Sequence, residues 1–240
     1  MDFSPSSRLT TVLAEDAEVL VELVRKKSRF LTVMRRVAHQ DEAQALVDRL
    51  RREHHTARHH CSAWVLGADR ALRRAHDDGE PAGTAGAPML EALTHAAMPG
   101  GHADLTDVVA VVIRWFGGTL LGAGGLVSAY SASVTTAVKE AEARGLYVQR
   151  RRMRHLRLRA PIAVAGRWEN ELRTGGTEVI GTDYGTEYGT GHVIADDAVL
   201  RLAVDDTTEA LEDLAGRIAV VTSGEAVATE DGTGWMERRS

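Results

Sequence analysis

The sequence predicts an α+β protein of two domains, on three observations. An apolar, β-branched run at residues 108–113 reads as a central strand, with helical spacing before and after it. The composition shifts sharply at Arg150-Arg151-Arg152-Met153-Arg154. Beyond that shift the pattern runs strand, helix, strand, strand, helix, strand. A length of 240 residues suits either one large or two small domains, and we place the boundary near Val148.

The elements follow in order. Val19-Leu20-Val21-Glu22-Leu23-Val24 and Phe30-Leu31-Thr32-Val33-Met34 are short apolar runs separated by Arg25-Lys26-Lys27-Ser28, a hairpin or two sequential strands. Ala43, Leu46, Val47 and Leu50 keep the i, i+3, i+4, i+7 spacing of an amphipathic helix ending near His54. Residues 61–66 read as a strand. Residues 77–87 hold three glycines and Pro81, so they form a loop. Pro88 suits the first position of the next helix, where its missing N–H costs nothing. After strand 108–113 comes a glycine-rich turn, then a helix from Leu126 to about Arg144 with Gly145 as C-cap. The second domain reads as strand 156–158, helix 161–172, strand 178–184, strand 198–204, helix 207–215 and strand 225–229. That βαββαβ order is ferredoxin-like.

Charge is unevenly placed. Residues 1–150 hold 18 Lys+Arg and 18 Asp+Glu, whereas residues 151–240 hold 11 and 16. The net charge of −5 therefore lies wholly in the second part. A lone cysteine, Cys61, rules out an internal disulfide and fits a reducing compartment. The start, MDFSPSSRLT, has no basic head followed by an apolar run. No stretch reaches the roughly 18 apolar residues that span a bilayer. The expected location is the cytoplasm, without a membrane partner.

Three segments carry candidate chemistry. Arg114-Trp115-Phe116 leads into Gly117-Gly118-Thr119-Leu120-Leu121-Gly122-Ala123-Gly124-Gly125 and a helix. Glycine admits close ligand approach, and a helix N-terminus presents unpaired N–H groups to an anion. The same string also describes a tight turn with close packing. It is neither a Walker A loop, having no lysine, nor a G-x-G-x-x-G fingerprint. Asp77-Asp78-Gly79-Glu80 sets three carboxylates on a loop, for Mg²⁺ or acid–base chemistry, or simply as turn formers. In His59-His60-Cys61, only His59 and Cys61 share a strand face, and zinc would need further ligands. We assign no metal, no cofactor and no catalytic residue. The six arginines between 150 and 159 either contact phosphate or pair with the acidic second domain.

Four blocks in sequence resemble the YigZ/IMPACT family. They are Lys26-Lys27-Ser28-Arg29-Phe30; Ala57-Arg58-His59-His60-Cys61-x-Ala63-Trp64; the run from Asp77-Asp78-Gly79-Glu80-Pro81 through Gly83-Thr84-Ala85-Gly86-x-Pro88-Met89-Leu90; and Arg114-x-x-Gly117-Gly118-x-x-Leu121-Gly122-x-Gly124-Gly125-Leu126-Val127-x-Ala129-Tyr130. The resemblance implies a first domain, residues 1–148, with the fold shared by a ribosomal-protein domain and domain IV of elongation factor G. It implies a ferredoxin-like second domain, residues 149–240, similar to domain V of that factor. The implied role is regulation of translation, through RNA, the ribosome or a protein partner in translation control. The alternative is a phosphoryl-transfer or hydrolytic enzyme using the acidic loop and glycine turn. The candidate anion- or nucleic-acid-binding residues are Lys27, Arg29, Arg58, His59, Asp78, Glu80, Thr84, Arg114, Gly117, Gly118, Gly122, Gly124 and Gly125. We expect the acidic loop, the glycine turn and the His59 region to meet in space. Ala87 and Trp115-Phe116 depart from the family pattern, and Tyr188 to Asp197 reads as an insertion.

Overall fold

The computed structural model describes residues 8–184 and 197–238. Most of the insertion expected between Tyr188 and Asp197 lies outside the described residues. The chain separates into two compact units, Met1–Arg150 and Arg151–Ser240. No linker marks the division. Strand β7, Tyr147–Pro161, passes through it without a break.

The first unit begins with β1, Leu9–Leu13, which sequence patterning did not single out. A hairpin of β2, Glu18–Arg25, and β3, Ser28–Arg36, follows. Then come α1, Gln40–Glu53; β4, His59–Leu66; β5, Leu72–His76; α2, Gly86–Thr94; β6, Val108–Trp115; and α3, Ala123–Ala143. One sheet has the order β2-β3-β6-β4-β5, every neighbour antiparallel. Strand β6 is central and covered on both faces, which is why its sequence is apolar throughout rather than alternating. Val109, Val111 and Ile113 pack with Leu46, Val47 and Leu50 of α1. Val108, Ala110 and Val112 pack with Met89 and Leu93 of α2 and with Tyr130 and Val134 of α3.

Two helix starts differ from expectation. Helix α2 begins at Gly86, two residues before Pro88, because Asp77 Oδ1 accepts the N–H groups of Ala85 and Gly86 at 3.0 and 2.8 Å. Helix α3 begins at Ala123, so Gly124 and Gly125 lie in its first turn. Gly145 stands past its end at φ 64°, as a C-cap glycine does.

The second unit contains the rest of β7, then α4, Ile162–Thr174; β8, Glu178–Tyr184; β9, Asp197–Asp205; α5, Thr208–Thr222; and β10, Thr229–Glu237. The sheet has five strands in the order β1-β7-β9-β8, with β10 also pairing β7. Within it, β10-β7-β9-β8 is the strand order of the ferredoxin-like pattern. Leu158, Leu200 and Leu202 pack against Trp168 and Leu172 of α4 and Leu214 and Ile218 of α5. The expected strand at 225–229 is displaced, because α5 runs on to Thr222 and the last strand starts only at Thr229. No helix of the described residues is long and apolar enough to cross a membrane.

Candidate functional site

Four loops meet at one end of the first unit's sheet. The register explains why. Arg29 pairs with Trp115 and His59 with Arg114, so the start of β3, the start of β4 and the end of β6 lie side by side. Ser62 pairs with His76, which brings the loop after β5 to the same end.

Arg25 is the register partner of Ser28, leaving Lys26 and Lys27 as a two-residue hairpin turn. Both have positive φ, 44° and 68°. That is the type I′ geometry, which normally selects Asn-Gly. Both lysines are exposed. Gly117 lies directly against the carbonyl of Lys27, where no Cβ fits. Its N–H donates to Ser28 Oγ at 3.2 Å, pinning the glycine turn to the hairpin.

Beneath this surface is a buried polar network. Arg114 donates to Glu80 Oε1 at 2.6 Å, and their side chains are only 6% and 3% exposed. Tyr130 donates its hydroxyl to the same oxygen at 2.7 Å. Cys61 Sγ lies 3.3 Å from the Tyr130 hydroxyl and 3.0 Å from the Asp77 carbonyl. Burial pushes the Cys61 thiol and the Tyr130 phenol well above their usual ranges, so neither ionises at neutral pH. His59 Nδ1 is 2.9 Å from the Asp78 carbonyl, an obligate acceptor, so that nitrogen carries a proton. Its Nε2 points towards Glu80 Oε1 at 3.9 Å.

The acidic loop is held by its own carboxylates. Asp77 accepts N–H groups from Gly83, Ala85 and Gly86. Burial works against its charge, yet these three donors outweigh it and hold the carboxyl below its ordinary range. Asp78, at φ 45°, pairs with Arg51 at 2.8 Å and accepts the His60 N–H at 2.7 Å. Thr84 is buried and donates to the Pro81 carbonyl at 2.7 Å. Among the described residues, no group of three His, Cys, Asp or Glu is arranged to hold a metal ion.

The structure thus gathers His59, Asp78, Glu80, Arg114 and Gly117 at one end of the sheet. Glu80, Arg114 and Gly117 share one hydrogen-bonded network through Ser28, while His59 bonds the Asp78 carbonyl beside it. Lys27, Arg29, Arg58, Gly118, Gly122 and Gly124 lie exposed around them, and Gly125 is half-exposed. Arg29 pairs with Glu22 and stacks on Trp115 at 4.3 Å. The Trp115 N–H is spent on Thr56, while Phe116 is 47% exposed. Ala87 is exposed. Sequence reasoning missed Ser28 and Lys26. Their part depends on hairpin register and the contact with Gly117, which composition does not reveal.

The arginine run resolves in favour of ion pairing. Within the second unit, Arg151 pairs with Asp205, Arg152 with Asp206, Arg154 with Asp206 and Glu230, Arg157 with Asp231 and Arg159 with Asp197. Arg150 pairs with Asp107 in the first. Strand alternation offers three of these arginines as a phosphate-contacting face. The acidic excess of the second unit neutralises them instead.

Residues 26–138 match the model of the Impact N-terminal domain. The chain is 42% identical over 152 residues to the IMPACT family member YvyE of Bacillus subtilis (strain 168), covering 63% of this chain and 65% of that protein. It is 49% identical over 117 residues to the IMPACT family member YigZ of Escherichia coli (strain K12), covering 48% and 54%. The matched segments thus span between about half and two thirds of these relatives. A solved structure, described as the crystal structure of a hypothetical protein, shares 32% identity over 92% of this chain and 96% of its own, with a TM-score of 0.59.

Proposed function

The chain belongs to the IMPACT family, and from that premise we propose that it acts in cytoplasmic translation by binding RNA, free or in the ribosome, through the loop end of its first unit. We read residues 1–148 as the Impact-type binding domain and 149–240 as its ferredoxin-like companion. One observation carries the reading: a cationic hairpin tip, held with positive φ at two lysines, is pinned against an exposed glycine turn. Non-glycine residues in that conformation are strained, and such strain persists where surrounding structure imposes it. Asn-Gly would make a better turn, so the lysines point to use of their charge. Gly118, Gly122 and Gly124 have no atoms within 4 Å of where a Cβ would stand, which leaves the turn's backbone open to a phosphate. Exposed Arg58 adds a third cation at the same end. Phe116 offers a face on which a base can stack.

Arg114 supports this surface from below and does not contact phosphate, since Glu80 already neutralises it. The test is titration of fluorescent single-stranded RNA at two salt concentrations. Three phosphate contacts give a log–log salt slope of about −2 for a single strand. Replacing Lys26, Lys27 and Arg58 with alanine removes most of that slope. Unchanged affinity in the triple variant, or no binding to RNA or ribosomes, sinks the proposal and leaves a protein partner as the ligand.

A further inference from the structure

We infer that the second unit carries a pocket for a free α-amino acid with a short aliphatic side chain. A cavity of about 190 Å³ opens under α5, where β9 ends and β8 begins. Its floor is apolar: Met153, Ala203 and Leu214 are 1%, 1% and 2% exposed. Thr177 forms a wall and is 6% exposed, yet its hydroxyl has no hydrogen-bond partner among the described residues. Native structures rarely bury a hydroxyl in that condition, and a place kept for a bound polar group is one reason they do.

The rim supplies both signs of charge. Arg217 donates one N–H to the Gly175 carbonyl at 2.7 Å, which holds the guanidinium at the mouth. Gly176, at φ 83°, lets the chain turn back beneath it. The guanidinium keeps further N–H donors in a fork suited to a carboxylate. Asp213 and Glu178 also line the cavity and have no ion-pair partner among the described residues. The remaining charges, Arg151 and Asp205, neutralise each other at 3.0 Å.

This distribution selects the ligand class. A simple anion would face Asp213 and Glu178 uncompensated, and a simple cation would face Arg217. A zwitterion answers both: its carboxylate meets Arg217, and its ammonium meets the carboxylates and the Thr177 oxygen. The apolar floor takes an aliphatic side chain. The volume excludes a nucleotide or a folded peptide segment.

The experiment is a titration of the isotope-labelled full chain with L-valine and L-leucine, followed by amide chemical shifts. Isobutylamine and 4-methylpentanoate, each carrying one charge, serve as controls. The expected result is saturable shifts confined to the Gly176–Glu178, Ala203–Asp205 and α5 amides, half-saturating near or below about 1 mM. Each control should bind at least about tenfold more weakly, since it loses a charge-assisted contact. Thr177→Val should weaken binding roughly three- to tenfold, and Thr177→Ser should retain it. Arg217→Gln, at an exposed position, gives a second test without disturbing the core. No shifts at roughly ten times that concentration, shifts elsewhere, an amine that binds as well as the amino acid, or indifference to both Thr177→Val and Arg217→Gln would each overturn the inference.

Discussion

Arg114→Met separates the two roles open to a cation beside the glycine turn, ligand contact and internal support. In the structure its guanidinium meets Glu80 Oε1 at 2.6 Å, with the two side chains 6% and 3% exposed. Methionine fills much of the space but leaves a buried carboxylate with the Tyr130 hydroxyl 2.7 Å away, His59 Nε2 at 3.9 Å and no guanidinium. Breaking a buried pair from one side costs about 3–5 kcal/mol, because the orphaned charge keeps its desolvation penalty without its counter-charge. At about 2–4 °C per kcal/mol for a chain of this size, the first unit should melt roughly 10 °C lower. Glu80→Gln keeps an oxygen for Arg114 and Tyr130 but leaves the buried guanidinium without its counter-charge, so a loss near the lower end of about 3–5 kcal/mol is expected. The double variant should cost less than the two singles together, by on the order of 1–3 kcal/mol of coupling. Thermal unfolding of the full chain measures these values, and hydrogen exchange of the β6 and α3 peptides assigns the loss to the first unit. An Arg114→Met protein that melts within about 1 °C of the parent while losing RNA affinity would refute the reasoning. Arg114 would then be a ligand contact and its pairing with Glu80 incidental.

Replacing Lys26-Lys27 with Asn-Gly relieves positive φ at both positions, so the melting temperature should rise, by roughly 1 kcal/mol of stability. The same change should weaken RNA binding and cut the salt slope by about 1.4, which calorimetry and the RNA titration check together. Asp77 makes a pH prediction. Its folded-state pKa lies below the ordinary 3.8, so its stabilisation is fully present above that value and is lost as pH falls through the lower, folded one. Asp77→Asn should therefore be less stable than the parent at neutral pH, and the gap should close in acid. Melting temperatures measured from neutral pH down to about pH 2.5 decide it, and a gap independent of pH would contradict the assignment.

Part of the site is legible from residue type alone. The glycines at 117, 118, 122 and 124, the acidic loop and the His59 block are unusual strings, and glycine-rich or carboxylate-rich loops advertise themselves by composition. Other parts are not legible. Strand β5 reads Leu-Arg-Arg-Ala-His, with no apolar alternation, and exists because β4 offers it a ladder. Strand β1 is five residues long, too short for periodicity to register. The Arg150–Arg159 run is, as a string, equally compatible with a phosphate face and with internal pairing. Its carboxylate partners stand at positions such as 205, 206, 230 and 231, far away in sequence.

What the sequence determined by itself is whatever depends on neighbours a few residues apart. The buried strand 108–113, the amphipathic face of α1, the glycine C-cap of α3 and the βαββαβ order all follow from local pattern, because burial and backbone preference act residue by residue. What only the tertiary structure decided is the state of the charges. Arg114 is buried against Glu80, 34 residues earlier, and it is this pairing that makes us read it as a pillar rather than a ligand. The side chains of Lys26 and Lys27 stay exposed while the Ser28 hydroxyl takes the hydrogen bond from Gly117, 89 residues away. A charge's role rests on its desolvation and its counter-charge, and both are properties of the space around it, which the chain defines only when folded.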